Sequence, residues 1–430
     1  MRAWRRNAAL VTAAALITVA CGVPTTAPPK TPAPPAQTPA GLVPVTVQVD
    51  PGLAQAPFDV ARQALVPPGW TMSLWARVPK ARLAAWAPDG ALLVSVPADG
   101  KVLKLTPGAP LHQEVLLEDL DAPHGLAFAG STLYVAESDQ VDAYTYTDGL
   151  ATDRRVVADG LPDDRSADLG GAYAHALKSV AVGSDGAVYF SIGSTGNVSA
   201  QDRSATPERA TIMRIPPQGG PYQVFARGVR NGTGLAIAPD GSVWTAVNNR
   251  DNIAYPDPGP SYGRVIPDYV DDHPPESLAR LTSGRDLGWP YCNPDGVGGP
   301  VPLVRDVQTN PDGSKLDCST LPRIEQTLGA HAAPLGLSFV DGGLPFPYAQ
   351  GALVGVHGSW NRQSPRAPEV SFFAWHNGTL GDQQTLVGGF QATDGSRWGR
   401  PVAALLGPDG AVYVTDDYAG AVYRVTPPGR

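Results

Sequence analysis

The sequence predicts an all-β protein, a six-bladed β-propeller, and three observations lead there. The chain has 48 glycines and 45 prolines in 430 residues, roughly twice the ordinary usage of the pair and without a collagen-like period, so it is dense in turns. It repeats a unit six times: a turn rich in Asp and Gly, an alternating or β-branched strand, then small or polar residues. Turns near 130, 185 and 240 follow at intervals of 55 residues, close to the length of one four-stranded propeller blade. Amphipathic helical runs are almost missing, and a β-sandwich array, the other all-β option, explains the spacing less well.

Each segment can be justified in chain order. Residues 1–21, "MRAWRRNAALVTAAALITVAC", read as an export signal: Arg2, Arg5 and Arg6 precede an apolar stretch too short to span a membrane. "ITVAC" resembles a bacterial lipobox, making Cys21 the expected lipidation site and placing the protein on the extracytoplasmic side of a membrane; simple secretion is the alternative. Residues 22–45 are rich in Pro, Thr and Ala and read as an extended tether. Residues 46–430 form the propeller. Its units are "WAPDGALLVSV", "FAGSTLYVAE", "VGSDGAVYFSI", "IAPDGSVWTAV", "FVDGGLPFPYAQGALVGV" and "LGPDGAVYVTDD". The Asp-Gly turns suit tight hairpins because glycine accepts positive φ. The interval between the turns near 240 and 341 is about twice the others, so a long loop insertion, roughly 249–330, is expected between the fourth and fifth blades. The last strand, "AVYRVTPP", is expected to pair with "WTMSLWARV" and close the ring, removing two sheet edges.

Composition excludes some partners. A net charge of −8 argues against nucleic acid. Only six of 32 basic residues are lysine, a skew expected of a GC-rich genome rather than of a polyanion site. With Cys21 set aside, Cys292 and Cys318 remain, and an even pair in an oxidising compartment predicts a disulfide. No CxxC or paired histidine suggests zinc.

Polar residues recur just outside the strands: His124, His175, Arg230-Asn231, Asn248 to Asp251, His331, His357, Arg362, Arg397 and Arg400. Several directly precede the strand that leads into the Asp-Gly turn, a register that sends them to one face of a propeller. Arginines from several sides suit a small polyanion, because guanidinium grips carboxylate with paired bonds. A histidine among them can accept a proton near neutral pH. Peptide and Asn oxygens at a strand end suit calcium. Together these point to a quinone with carboxylate arms. His124 reads as a packing residue, Trp289 as packing below the pocket, and His112, His273 and His376 as solvated.

These stretches resemble the glucose/sorbosone dehydrogenase family, the soluble pyrroloquinoline quinone (PQQ)-dependent sugar dehydrogenases, and most closely the sorbosone branch. The matching segments are "APHGLAFAGSTLYVAE", "HALKSVAVGSDGAVYFSIGSTGNV", "ARGVRNGTGLAIAPDGSVWTAVNNRD", "LGWPYC", "GAHAAPLGLSF", "GVHGSWNR" and "GRPVAALLGPDGAVYVTDD", across about residues 65–428. The resemblance implies a six-bladed propeller that oxidises a sugar or sugar-derived aldehyde, with PQQ and calcium as cofactors and an electron acceptor of unknown identity. It implies His175 as the catalytic base. It implies Arg230, Asn231, Asn248, His331, His357, Arg362, Arg397 and Arg400 as cofactor-binding residues. It places calcium at the main-chain oxygens of Asn249 and Arg250. Two departures stand out: Ala174 holds the place of an acidic neighbour of the base, and Trp398 holds that of a basic residue, leaving Arg397 to serve. A calcium-dependent propeller lactonase and a non-catalytic binding propeller are the alternatives.

Overall fold

The computed structural model describes residues 41–429; Cys21, the export signal and the tether up to residue 40 lie outside them. Six sheets form the six blades of a propeller. Their first, innermost strands are Ala84–Trp86, Gly125–Ala129, Val180–Val182, Gly234–Ile237, Pro334–Asp341 and Pro401–Leu406. In every blade the first three strands follow one another as antiparallel neighbours.

The alternation seen in the sequence becomes the packing between blades. In blade four, Trp244 and Leu278 are fully buried against Val354, Phe373 and Trp375 of blade five, with the rings of Trp244 and Trp375 edge to face at 5.7 Å. Burying one such aromatic contributes about 1.5–3 kcal/mol. Near the axis the strands approach too closely for side chains. A Cβ on Gly234 would lie 2.7 Å from the Leu335 carbonyl oxygen, and one on Gly336 would lie 2.7 Å from the Ala403 Cβ.

The ring closes as expected. Thr71–Arg77 pairs antiparallel with Ala421–Thr426 as the outermost strand of blade six. Ahead of it, Val43–Thr46 pairs with Gln63–Val66, so regular structure begins inside the segment expected to be tether. Phe58, Ala64 and Val66 add to the buried cluster of blades five and six.

The long segment 249–330 sits differently from the expectation. It lies within blade four, not between blades four and five, because it supplies that blade's two outer strands, Glu276–Leu281 and Gln326–Leu328. Without them Val243–Val247 would be left as an unpaired edge. Two excursions result, 248–275 with one helical turn at Pro267–Val270, and 282–325. The second adds Arg285–Asp286 in parallel to blade three and contains a two-stranded ribbon, Cys292–Pro294 with Leu303–Arg305. The Cys292–Cys318 disulfide is present, with Cα atoms 5.8 Å apart.

Candidate active site

In each blade the loop entering the first strand and the loop leaving the second emerge on the same face. The Asn248 amide donates to the Asn231 carbonyl at 2.9 Å, the Ser194 amide to that of Arg230 at 2.8 Å, and the His357 amide to that of Ala333 at 3.0 Å. These bonds stitch the polar clusters into one surface with two hollows that meet at Trp360.

The first hollow, about 140 Å³, is lined by His175, Arg230, Asn231, Asn248, Asn249, Asp251, Glu276, His331, Ala333 and Trp360. We call it the histidine chamber. His175 precedes the first strand of blade three, and its Nδ1 lies 3.0 Å from the Ser194 carbonyl oxygen. Since a carbonyl only accepts, Nδ1 carries the proton and Nε2 is left with a lone pair. Burial, with the Arg230 charge adding to it, lowers the pKa of His175 to about 3. The ring is therefore neutral across the physiological range, with its lone pair at Nε2. Ala174 donates its amide to the Thr195 carbonyl at 2.9 Å, so backbone and Ser194 orient the His175 ring where an acidic neighbour is missing.

Arg230 is buried, and four of its five N–H groups are engaged by the protein. Nε donates to the Asn197 carbonyl and Nη2 to Asn197 Oδ1, both at 3.2 Å, and Nη1 donates to the carbonyls of Asn248 at 3.1 Å and Asn249 at 2.8 Å. One N–H remains for a ligand, so this residue offers a single bond rather than the paired grip expected from the sequence. Asn197 also accepts from the Asp251 amide at 2.7 Å and from Trp289 Nε1 at 3.2 Å. Trp289 is buried and packs below the chamber as expected.

His331 places both nitrogens against acceptors, Asp251 Oδ1 at 3.1 Å and the Val270 carbonyl at 2.7 Å. Burial opposes its charge, but Asp251 and the Val270 carbonyl outweigh burial and raise its pKa. Burial likewise opposes the charge of Asp251, and His331 and Arg230 together hold its carboxyl below the usual range. Glu276 is fully buried, which raises its pKa to about 7 even though its Oε2 accepts from the Asn249 amide at 2.5 Å. His331 and Ala333 have φ of 58° and 51°, a left-handed backbone costing about 1–3 kcal/mol each, of the kind that collects at functional sites.

The second hollow, about 370 Å³, is lined by Ser359, Trp360, Arg362, Pro365, Gly395, Arg397, Arg400 and Tyr418. In this arginine basin, Arg400 uses Nε and Nη2 on the carbonyls of His357 at 2.8 Å and Gly358 at 3.1 Å. Arg397 donates to Gln391 and to the Ser359 and Arg366 carbonyls. Arg362 pairs with Asp272 at 3.0 Å. Further N–H groups of all three remain for an anion. Trp360 and Tyr418 are 75% and 59% exposed at its rim.

Of the residues singled out from sequence, the structure brings His175, Arg230, Asn231, Asn248, Asn249 and His331 into one chamber and Arg362, Arg397 and Arg400 into the other. One expected cofactor-binding residue is placed elsewhere. His357 lines neither hollow; its Nε2 bonds Asp417 at 2.7 Å, and Asp417 also holds Arg82 at 2.7 Å. Arg250, expected only for its peptide oxygen, has its side chain in a buried pair with Asp306. The peptide oxygen of Asn249, one of the two expected at calcium, accepts from Arg230 Nη1 at 2.8 Å. Trp398, in the place of a basic residue, packs against Phe390 and Tyr423 in the core. His124 is buried as a packing residue, with Nδ1 on the Lys178 carbonyl at 3.1 Å.

Glu276, Trp360 and Tyr418 were missed as lining residues, and Asp251 was singled out only within the polar cluster after its strand, without a role. Asp251 had a signal, its place in "NNRD". Glu276 had none, because its strand lay inside a segment read as insertion.

The TrAA12-like family profile matches residues 64–428, nearly the whole described chain. The chain belongs to the TrAA12-like family. Its propeller is similar to the PQQ domain of pyranose dehydrogenase from Coprinopsis cinerea, at 19% identity, covering 88% of this chain and 100% of that one, with a TM-score of 0.73. It is also similar to the Trichoderma reesei carbohydrate-active enzyme of family AA12, at 20% identity, 84% and 97% coverage and a TM-score of 0.68. A third likeness is to the PQQ-bound aldose sugar dehydrogenase of Streptomyces coelicolor, at 14% identity, 84% and 99% coverage and a TM-score of 0.55. An uncharacterized protein of Borreliella burgdorferi is 27% identical over 236 residues, 53% of this chain, and the match spans 56% of that relative's length. The TrAA12-like assignment agrees with the resemblance to the PQQ-dependent sugar dehydrogenases, and at these identities the solved structures establish the shared fold.

Proposed function

We propose that this TrAA12-like protein oxidises a sugar, or a sugar-derived aldehyde of the sorbosone kind, with PQQ as cofactor. The observation that carries the reading is His175: a neutral imidazole with a bare Nε2, in a chamber that opens at Trp360 onto a basin of three arginines. The donor set fits the cofactor. Arg362, Arg397 and Arg400 would hold its carboxylates, while Arg230, Asn231, Asn248 and His331 would border its reactive end. When bound, the quinone supplies a two-electron acceptor for hydride from the sugar carbon. His175 Nε2 takes the hydroxyl proton, and Asp251 offsets the positive charge this creates beside Arg230 and His331. Calcium fits less well at the Asn249 and Arg250 peptide oxygens, since Arg230 already binds that of Asn249, and no step is assigned to it. A lactonase would need free carboxylates around a central metal. Here Asp251 bonds His331 and Glu276 bonds the Asn249 amide, which favours the dehydrogenase reading. The N-terminal signal and Cys21 support an exported protein anchored by lipid, with an electron acceptor of unknown identity.

The test is reconstitution with PQQ, with and without calcium, followed by dye reduction on a panel of aldoses, sorbosone and simple aldehydes. Turnover that His175→Ala abolishes supports the reading. Quinone binding with no turnover on any sugar points to the non-catalytic alternative, and lactone hydrolysis with calcium alone overturns the proposal.

A further inference from the structure

Arg250 sits between two residues that line the histidine chamber, Asn249 and Asp251, yet its own side chain points the other way. Its Nη1 binds Asp306 Oδ2 at 2.6 Å, and its Nη2 binds Gln308 Oε1 at 2.8 Å. The side chains of Arg250 and Asp306 are 4% and 0% exposed. Asp306 is saturated: Oδ2 also accepts from Asn293 Nδ2 at 2.9 Å, and Oδ1 from the amides of Gln308 at 2.9 Å and Thr309 at 3.1 Å. A carboxylate with four donors has one available position, and so has the guanidinium bound to it.

Asp306 is itself fixed from the second excursion of blade four. It directly follows Leu303–Arg305, which pairs with Cys292–Pro294, and its amide donates to the Tyr291 carbonyl at 2.9 Å. Cys292 stands at the start of that ribbon, and its disulfide to Cys318 encloses Asn293 and Asp306 in one covalent loop. A continuous path therefore runs from the disulfide through the ribbon to Asp306, to Arg250, and to its two chamber-lining neighbours.

We propose that Arg250 and Asp306 are positioning residues, and that the disulfide-closed strap sets the place of Asn249 and Asp251 through them. Breaking the strap loosens the 248–251 turn while the six blades stay folded. The inference deepens the functional reading above, since it concerns the chamber that reading uses, but its main test needs neither cofactor nor sugar. In the folded protein the amides of Asn248, Asn249 and Asp251 are held by Asn231, Glu276 and Asn197. Hydrogen exchange at these amides is compared in the wild type, in Asp306→Asn and in the double variant Cys292→Ala/Cys318→Ala. Both variants should exchange about tenfold faster at 248–251, with protection of Val412–Asp416 in blade six unchanged. Asn293→Ala, which removes a single donor to Asp306, serves where Asp306→Asn does not fold. Unchanged exchange at 248–251 in the variants overturns the proposal. In a wild type that turns over sugar, the same variants should weaken PQQ binding or raise KM by about tenfold. A wild type that binds no quinone defeats the functional reading alone and leaves the exchange result standing.

Discussion

The two hollows on the propeller face are built on opposite principles. In the histidine chamber almost every polar group already has its partners: Arg230 keeps one N–H of five, His331 has both nitrogens bonded, and Asp251 and Glu276 are held. The arginine basin is larger and more open, its cations keep donors in reserve, and its rim carries exposed Trp360 and Tyr418. A chamber with fixed dipoles suits the place where charge develops in a reaction, because nothing need reorganise. An open basin of guanidiniums suits holding an anion, where several approximate bonds suffice. Under the proposed function, that difference separates chemistry from grip.

That contrast can be broken by experiment. The largest effect is expected for His175→Ala, which should lower kcat by about 10²–10⁴-fold while leaving quinone affinity within a few-fold; equal losses in both would erase the division of labour. Next comes Arg400→Ala, which should weaken quinone binding by on the order of 10–100-fold, as for the loss of a charged hydrogen bond. A titration at increasing salt checks this, since the basin is open and screening should flatten the difference. Arg230→Lys should do the reverse and reduce kcat more than affinity, because its donors hold the chamber together.

The pH behaviour sharpens the comparison further. His175 has a folded pKa of about 3, against about 6.5 in an unfolded chain. Between those values the unfolded chain binds the extra proton, so stability falls as pH drops through that window. Chemical unfolding at pH 7 and 4.5 should show a loss that His175→Gln reduces by up to about 2 kcal/mol. The pH–rate profile should lack an acid limb near 6.5. The smallest expected effect is on metal removal: EDTA should change quinone affinity by less than about twofold, since Arg230 occupies the Asn249 carbonyl that a cation would need. A large loss on chelation would relocate the cation and reopen the assignment of that turn.

How much of this was legible beforehand depends on the range of the interaction. Six glycine turns, five of them Asp-Gly, with alternating strands announced six blades because a hairpin is specified within a dozen residues. The third and fourth strands of blade four were not legible, since "ESLARL" and "QTL" are short and separated from their neighbours by excursions rich in proline and glycine. Trp398 could be seen to stand where a basic residue was expected, but its role in packing Tyr423 became plain only in three dimensions.

By itself the sequence determined the fold class, the ring closure, the pairing of the two cysteines and the register that sends polar residues to one face. Each follows from local periodicity or from residue counts. Only the tertiary structure decided which donors remain open. Arg230, Arg250 and Arg400 look alike in sequence, yet one is consumed by peptide carbonyls, one is turned into a buried strap and one still faces a basin. A guanidinium has five donors and no preference among distant acceptors, so its role is assigned only when the chain brings them within 3 Å.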